Sequence, residues 1–199
     1  VAGAGVRRTE IWEYEAAIST QTAGILYVQT ADSSPPLEEV VAAAHRHQLP
    51  VLVDAAGELP PRSNLKDLPG TGADLVVFSG GKAVRGPQST GILCGRRELI
   101  SSAALQMLDM DDHFELWDPP ANLIDKSKLP GMPRHGIGRA LKVSKEDIAA
   151  LLTALELFVS SGYEEVIPKA RKMLEDIVTA LAGTPANCAL DEPNGQPRL

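Results

Sequence analysis

Two short apolar runs in this 199-residue chain each lead into one ionisable residue. Val51-Leu52-Val53 runs directly into Asp54, and Val76-Val77-Phe78 is followed by Ser79-Gly80-Gly81-Lys82. Valine-rich runs of this length, bounded by turn residues, predict buried strands of a parallel sheet. In open α/β sheets, ligands bind beyond the carboxyl ends of the strands. We therefore expect Asp54 and Lys82 to lie at one ligand-binding edge.

A carboxylate and a primary amine at such an edge suit one cofactor in particular. Pyridoxal phosphate needs a lysine for its Schiff base and an acidic partner for its pyridine nitrogen. A lysine attacks a carbonyl only as the free amine. Gly80 and Gly81 would leave room for a flat ring close to the backbone. Ser79 could donate its hydroxyl to the cofactor phosphate.

Each of these residues also has an ordinary structural explanation. Lys82 fits an exposed turn equally well, Asp54 fits a loop cap at a strand end, and Ser79 fits turn chemistry. The pair of Asp54 and Lys82 carries more weight, because consecutive strands would bring both to one edge. A nucleotide phosphate loop is excluded, since its pattern needs glycine where Val76 stands and serine or threonine where Ala83 stands.

The apolar periodicity predicts the elements that would position this edge. Strands are predicted at 6–11, 24–29, 51–54, 74–78 and 89–95, and helices at 13–19, 35–48, 64–68, 97–107, 144–160 and 168–182. Ser34 is expected to cap the helix that starts with Pro35 and Pro36, and Ser144 is expected to cap the helix that ends at Ser160. The strand–helix–strand unit over 24–54 predicts a right-handed parallel crossover. The last strand follows Lys82 too closely for a helical crossover, so we expect it to be antiparallel. Pro168 is expected in the first turn of the final helix.

Composition is that of an ordinary globular chain, with 44% hydrophobic and 23% charged residues. No apolar run is long enough to span a membrane, and the net charge of −7 makes nucleic acid an unexpected partner. Two cysteines, Cys94 and Cys188, without metal-ligand spacing, fit a reducing cytoplasm. His45 and His47 do not share a helix face. We interpret them as a solvated helix end and expect no metal site.

The segments around Asp54 and Lys82 resemble the core of fold-type I pyridoxal-phosphate enzymes. The resemblance rests on Asp54-Ala55-Ala56, Phe78-Ser79-Gly80-Gly81-Lys82 and Arg85-Gly86-Pro87-Gln88-Ser89-Thr90-Gly91. These segments are most similar to the branch of L-seryl-tRNA(Sec) selenium transferase, the bacterial selenocysteine synthase, and D-glucosaminate-6-phosphate ammonia-lyase. Two further segments resemble the lyase-like members, Glu58-Leu59-Pro60-Pro61 and Gly138-Arg139-Ala140-Leu141-Lys142-Val143.

The resemblance implies a role for the residues nearest the cofactor. Lys82 would form the Schiff base and then move protons, and Asp54 would pair with the pyridine nitrogen. Ala56 would pack near the ring, and Ser79 would help to hold the phosphate. The implied cofactor is pyridoxal 5'-phosphate.

The resemblance also implies contacts beyond the ring. Gln88 and Thr90 lie on a loop that could reach a cofactor in a partner subunit, because the active site of this fold usually lies at a dimer interface. Arg134 and Arg139 are candidates for binding an anionic substrate, and solvated linker charges explain them equally well. The expected partners are a small-molecule amine and at least one further copy of the chain.

The fold implied is α/β, with a three-layer aminotransferase-type large domain, a mostly parallel sheet, and the start of a small α+β C-terminal domain. The cofactor-binding part would span residues 1–108, a linker 109–143, and the small domain 144–199. The family has a longer N-terminal part that contains a glycine-rich phosphate loop and a ring-stacking residue. We therefore expect the chain to be a fragment.

The expected function is lyase- or transferase-type chemistry on an amino acid or amino sugar acid, in the cytoplasm. An ammonia-lyase is favoured over selenium transfer, because tRNA binding depends on neutralising phosphates and the net charge is −7. Two alternatives stay open, an L-seryl-tRNA(Sec) selenium transferase and a non-catalytic remnant that serves as a binding or assembly domain. The substrate and the choice among elimination, replacement and transamination stay open as well.

Overall fold

The computed structural model describes residues 2–3, 8–160, 163–192 and 197–199. In chain order, its helices and strands are α1 (Ile11–Ala17), β1 (Ile25–Val28), α2 (Leu37–Arg46), β2 (Val51–Asp54), α3 (Asn64–Gly70), β3 (Leu75–Ser79), β4 (Gly91–Gly95), α4 (Arg97–Gln106), α5 (Lys145–Ser160) and α6 (Tyr163–Ala180). Single turns of 3₁₀ helix occur at Phe114–Leu116, Lys126–Lys128 and Arg139–Leu141. None of the described helices is both long and apolar enough to cross a membrane.

The strands form one sheet with the spatial order β1-β2-β3-β4. β1, β2 and β3 are parallel to one another, and α2 lies in the connection from β1 to β2. β4 runs antiparallel to β3, with Phe78 opposite Ile92. The α/β fold and the mostly parallel sheet are confirmed. The antiparallel β4 is confirmed too, because the connection through Lys82 leaves no room for a crossover helix.

One face of the sheet holds the hydrophobic core. Because side chains alternate along a strand, Tyr27, Val53, Val76 and Phe78 all point to this face, and each is at most 3% exposed. The apolar stripe of α2 packs on them with buried side chains, namely Leu37, Val40, Val41 and Ala44. Helices α1, α3 and α5 complete the cluster with Ile11, Tyr14, Leu65, Leu68, Leu151, Ala154, Leu155 and Phe158.

The opposite face of the sheet carries apolar side chains that the described helices leave exposed. Leu26 is 65% exposed, Val28 is 56% exposed and Leu93 is 39% exposed. The strand register places Asp54 and Ser79 on this same face. Of the candidate cofactor residues, Asp54 and Ser79 therefore lie on the open side of the sheet and not in the core.

The N-terminal prediction was wrong where the structure describes it. Residues 8–10 of the predicted strand 6–11 are irregular, and Ile11 opens a helix. Positions 6 and 7 lie outside the described residues. Glu10 N donates to Glu13 Oε2 at 2.8 Å, which caps α1 at its first turn. A local acidic cap therefore outweighs the β-favouring side chains of this segment.

Three helices differ in how well their starts were predicted. The expected Ser34 cap of α2 was wrong, because α2 begins at Leu37, directly after Pro36, and has no side-chain cap. Asp147 N donates to Ser144 Oγ at 3.0 Å, so the predicted cap before α5 is confirmed. α6 begins earlier than predicted, at Tyr163, and Pro168 lies inside the helix and not in its first turn. The prediction placed the start of this helix at Pro168, although α6 begins five residues earlier, at Tyr163.

Helix α5 packs on the same core as the sheet. Phe158 is 3% exposed and belongs to the central cluster. Arg62 Nη1 donates to Val159 O at 2.9 Å, which ties the end of α5 to the segment between β2 and α3. The division of the chain at 1–108, 109–143 and 144–199 stays a prediction.

Candidate active site

Asp54 is the last residue of β2 and lies opposite Val77 of β3. It is partly buried, and its Oδ1 accepts a hydrogen bond from Ala56 N at 3.0 Å. Asp54 therefore caps the turn that follows β2, as the structural explanation of this residue requires. Within the described part of the chain, Oδ2 has no hydrogen-bond partner. One carboxylate oxygen closes a turn, and the other is available to a ligand.

Lys82 lies in the connection between β3 and β4, which we call the lysine loop (residues 80–90). Its side chain is exposed, and its Nζ has no hydrogen bond or ion pair with the residues that the structure describes. Gly80 N donates to Thr90 O at 3.0 Å, and Gly86 N donates to Gly80 O at 2.8 Å. These bonds close the backbone of the loop beneath the lysine amine.

Two glycines allow the lysine loop to close tightly. A Cβ on Gly81 would lie 2.7 Å from Gln88 Cα, and a Cβ on Gly80 would lie 2.2 Å from Thr90 Oγ1. Gln88 Nε2 donates to Gly81 O at 3.0 Å, which places this side chain against the backbone next to Lys82. Close packing inside the loop thus explains the Gly-Gly pair without reference to a ring.

Thr90 lies at the inner end of the lysine loop. It is 7% exposed, and its Oγ1 donates to Pro87 O at 2.6 Å. The hydroxyl hydrogen is therefore used within the loop, and only the oxygen lone pairs are left for other contacts.

Ser79 and Ala56 complete the edge. Ser79 ends β3 on the open face, and in the described structure its hydroxyl has no hydrogen-bond partner. Ala56 is partly buried in the turn that Asp54 closes. The structure thus brings the residues predicted around the ring to the carboxyl ends of two neighbouring parallel strands.

The two candidate arginines have different surroundings. Arg139 lines a cavity of about 490 Å³ that also includes Thr90. The walls of this cavity are mainly apolar, with Met107, Leu108, Met110, Val143, Ile148 and Leu151 among them. Arg134 is exposed, and its Nη2 lies 3.1 Å from Asp111 Oδ1. The structure therefore brings Arg139 close to the lysine loop and leaves Arg134 in a surface ion pair.

Glu58 is a titratable residue at this edge whose chemistry the sequence prediction missed. It follows the Asp54 turn, and its N donates to Ala55 O at 3.0 Å. Burial raises the pKa of the Glu58 carboxyl above its ordinary value. A carboxyl with a raised pKa beside a ligand edge is a candidate for proton transfer. Its position just beyond an apolar strand was the signal that could have identified it.

A second charged cluster lies at the amino edge of the sheet. Asp74 is 3% exposed. Its Oδ2 accepts a hydrogen bond from Val51 N at 2.8 Å and lies 3.0 Å from His45 Nε2. Its Oδ1 accepts a hydrogen bond from Arg96 Nη1 at 3.0 Å. Burial alone would raise the pKa of Asp74, but these hydrogen bonds outweigh it and lower the pKa. The interpretation of His45 as merely solvated was wrong, because the ring joins α2 to this carboxylate.

Comparison with known proteins identifies what the chain is similar to. The family model Aminotransferase class-V matches residues 6–110, just over half of the chain. D-glucosaminate-6-phosphate ammonia lyase of Salmonella typhimurium is 28% identical over 185 residues, which cover 91% of this chain and 41% of the relative. An L-seryl-tRNA(Sec) selenium transferase of Desulfovibrio desulfuricans is 26% identical over 212 residues, which cover 91% of this chain and 38% of the relative.

A solved structure supports the same grouping. The structure of D-glucosaminate-6-phosphate ammonia-lyase aligns with a TM-score of 0.55 and 27% identity, covering 81% of this chain and 36% of that chain. The chain thus spans about two fifths of the length of the relatives it matches. The resemblance inferred from the segments around Asp54 and Lys82 is confirmed.

Proposed function

Because the chain belongs to the aminotransferase class-V family, we propose that it is part of a pyridoxal-phosphate-dependent enzyme with lyase- or transferase-type chemistry. Its substrate would be an amino acid or an amino sugar acid. One observation carries the proposal: Asp54 ends β2 and Lys82 follows the end of the neighbouring parallel strand β3 by three residues. In the described structure the Lys82 amine has no protein partner. Similarity to D-glucosaminate-6-phosphate ammonia lyase supports the lyase version.

The groups at this edge fit the cofactor by their chemistry. A primary amine, a carboxylate oxygen and a hydroxyl are each left without a protein partner in the described structure, at Lys82, Asp54 and Ser79. An aldehyde, a pyridine nitrogen and a phosphate are the groups that these three would bind. When bound, pyridoxal phosphate supplies a conjugated ring that accepts the electron pair left on a substrate carbon.

Each residue has one task in this proposal. The Lys82 amine would hold the cofactor, and as a free amine it would take the proton from the substrate α carbon. Asp54 Oδ2 holds a proton on the pyridine nitrogen, as an anion beside a base does. Ser79 donates its hydroxyl to the phosphate, and Ala56 packs beside the ring.

Substrate binding would involve the cavity beside the lysine loop. Arg139 would pair there with an anionic group of the substrate, and Arg134, which is engaged with Asp111, is the weaker of the two candidates.

Elimination of ammonia is favoured over selenium transfer, because the net charge of −7 does not attract tRNA. The selenium transferase version is supported by the similarity to such transferases.

The proposal includes a second copy of the chain and a cytoplasmic location. Gln88 is exposed on the lysine loop, where it could reach a cofactor held by a partner subunit, and Thr90 would assist through its oxygen. The small-molecule partner would be an amine. Support for a homo-oligomer comes from the family resemblance, in which the active site lies between subunits.

Covalent labelling tests the role of Lys82. Pyridoxal phosphate would be added to the purified chain, reduced with borohydride, and the modified lysine located by peptide mass spectrometry. We expect the label on Lys82 in the wild type and in the control K66A, which removes another exposed lysine, and its loss in K82A. A label spread over the exposed lysines, or absent from Lys82, would overturn the proposal.

A further inference from the structure

Leu151 of α5 lies against the lysine loop. A Cβ built on Gly80 would lie 2.7 Å from Leu151 Cδ1, and a Cβ built on Gly86 would lie 3.1 Å from the same atom. The two glycines therefore form a hollow that the Leu151 methyl group fills. A larger side chain at Gly80 would clash with this methyl group and with Thr90 Oγ1, which lies 2.2 Å from the same Cβ position.

A second contact between α5 and the lysine loop lies one helical turn away. Ser89 Oγ donates to Asp147 Oδ2 at 3.1 Å. Asp147 precedes Leu151 by four positions, so both lie on the same face of α5. The backbone N of Asp147 donates to Ser144 Oγ, so the Ser144 side chain caps the helix start at this residue. The helix thus holds the loop at two points.

The same face of α5 is anchored in the core. Leu155 packs against the central cluster, and Phe158 is a buried member of it. The helix face that carries Asp147 and Leu151 near the start of α5 therefore packs on the core near the end of α5, through Leu155 and Phe158. Because protein interiors are close-packed, a displacement of α5 would be transmitted to the loop backbone on both sides of Lys82.

We propose that Leu151, assisted by Asp147, is a positioning residue that holds the lysine loop so that the Lys82 amine stays at the carboxyl edge of β2 and β3. It acts through the loop backbone and does not touch the cofactor. The inference rests on the proposed function of Lys82. It adds that the helix packed beneath the loop, and not the loop alone, sets the position of the reactive amine.

Hydrogen exchange of the cofactor-free chain tests the mechanical part of this proposal. In L151A we expect the loop amides of Gly80 and Gly86 to exchange at least about tenfold faster than in the wild type, because local opening becomes easier. The matched control L152A, which truncates the neighbouring 60% exposed leucine, should leave them unchanged. The conservative variant L151M should restore wild-type exchange. Unchanged loop exchange in L151A, or an equal effect of L152A, would overturn the proposal.

Labelling of Lys82 tests the chemical part and separates the two proposals. We expect L151A to label Lys82 about tenfold more slowly than the wild type, since local opening misplaces the amine. L152A and L151M should label like the wild type. If the wild type labels Lys82 and L151A labels it at the same rate, the positioning role fails and the proposed function stands. If the wild type does not label Lys82, the proposed function itself fails.

A second variant keeps the test decisive if L151A does not fold. D147A removes a partly exposed side chain at the start of α5 and breaks only the contact with Ser89. We expect loop exchange to rise by at least about twofold, with no change in the amides of β2. Unchanged exchange in D147A would then overturn the proposal.

Discussion

At the scale of single residues, the two oxygens of the Asp54 carboxylate differ in their contacts. Oδ1 accepts the hydrogen bond from Ala56 N, a turn contact that asparagine forms equally well. Oδ2 is the oxygen that the proposal assigns to the pyridine nitrogen. The structural and functional explanations of Asp54 are therefore compatible, because they use different atoms. Only the negative charge requires aspartate at this position.

The variant D54N removes the negative charge of Asp54 and keeps the side-chain oxygen that accepts from Ala56 N. Asparagine retains the bond to Ala56 N, so we expect the free energy of unfolding to change by less than about 0.5 kcal/mol in urea titrations. Reductive labelling of Lys82 should fall about tenfold, the loss that one missing charge partner explains. D54A, which also breaks the turn, should be destabilised by about 1 kcal/mol. Wild-type labelling in D54N would contradict the role of the charge.

At the scale of elements, Asp74 joins parts of the fold that are distant in sequence. His45 contacts it from the end of α2, Val51 N from the start of β2, and Arg96 from the residue after β4. A carboxylate that is only 3% exposed is stable as an anion only with such partners. These contacts align the helix and the strands at the amino edge, opposite the candidate active site.

Acid should therefore weaken the contacts that the Asp74 carboxylate makes with His45, Val51 and Arg96. The pKa of Asp74 is lowered from its ordinary value of 3.8, so its contribution to stability is present above that value and is lost as the pH falls through the lower folded-state pKa. We expect D74N to lose about 1.5–3 kcal/mol of unfolding free energy at pH 7. Its stability should also depend less on pH below about 5 than that of the wild type.

Urea titrations at several pH values would measure both effects, with D32N as the control, since Asp32 is an exposed turn residue. A D74N chain whose stability falls with acid as steeply as the wild type would show that other carboxyl groups dominate the acid response.

At the scale of the whole molecule, one cluster joins the sheet to helices from both ends of the chain. α1 contributes Ile11 from near the start, and α5 contributes Phe158. All of this packing is on one face, while Leu26 and Val28 stay exposed on the other. The described part of the chain therefore has one core, on the side of the sheet away from Asp54 and Ser79.

The variant F158A tests whether α5 and the sheet unfold together. Removal of this buried ring should cost about 3–5 kcal/mol and leave a single unfolding transition, followed by far-UV circular dichroism and by tryptophan fluorescence. L157A, which truncates the adjacent 60% exposed leucine, should cost less than about 1 kcal/mol. Two separate transitions, or equal costs for the two variants, would show that α5 belongs to a different unit.

Local patterns predicted much of this structure. Valine-rich runs identified β2 and β3, helical spacing identified α2 and α5, and the short connection after Lys82 predicted an antiparallel β4. Each of these signals lies within a few neighbouring residues, where periodicity and steric limits act directly. The errors at α1 and α6 were local too, because the cap formed by Glu10 and Glu13 was overlooked and Pro168 was taken for a helix start.

The sequence by itself determined which chemical groups come to the carboxyl edge, because each follows its own strand and parallel strands end at one side. It also determined the family, through the segments around Asp54 and Lys82. Only the tertiary structure decided that His45 joins Asp74, that Arg139 and not Arg134 lies near the lysine loop, and that Leu151 fills the hollow of Gly80 and Gly86. Those contacts join residues far apart in the chain, and packing of the whole core selects them.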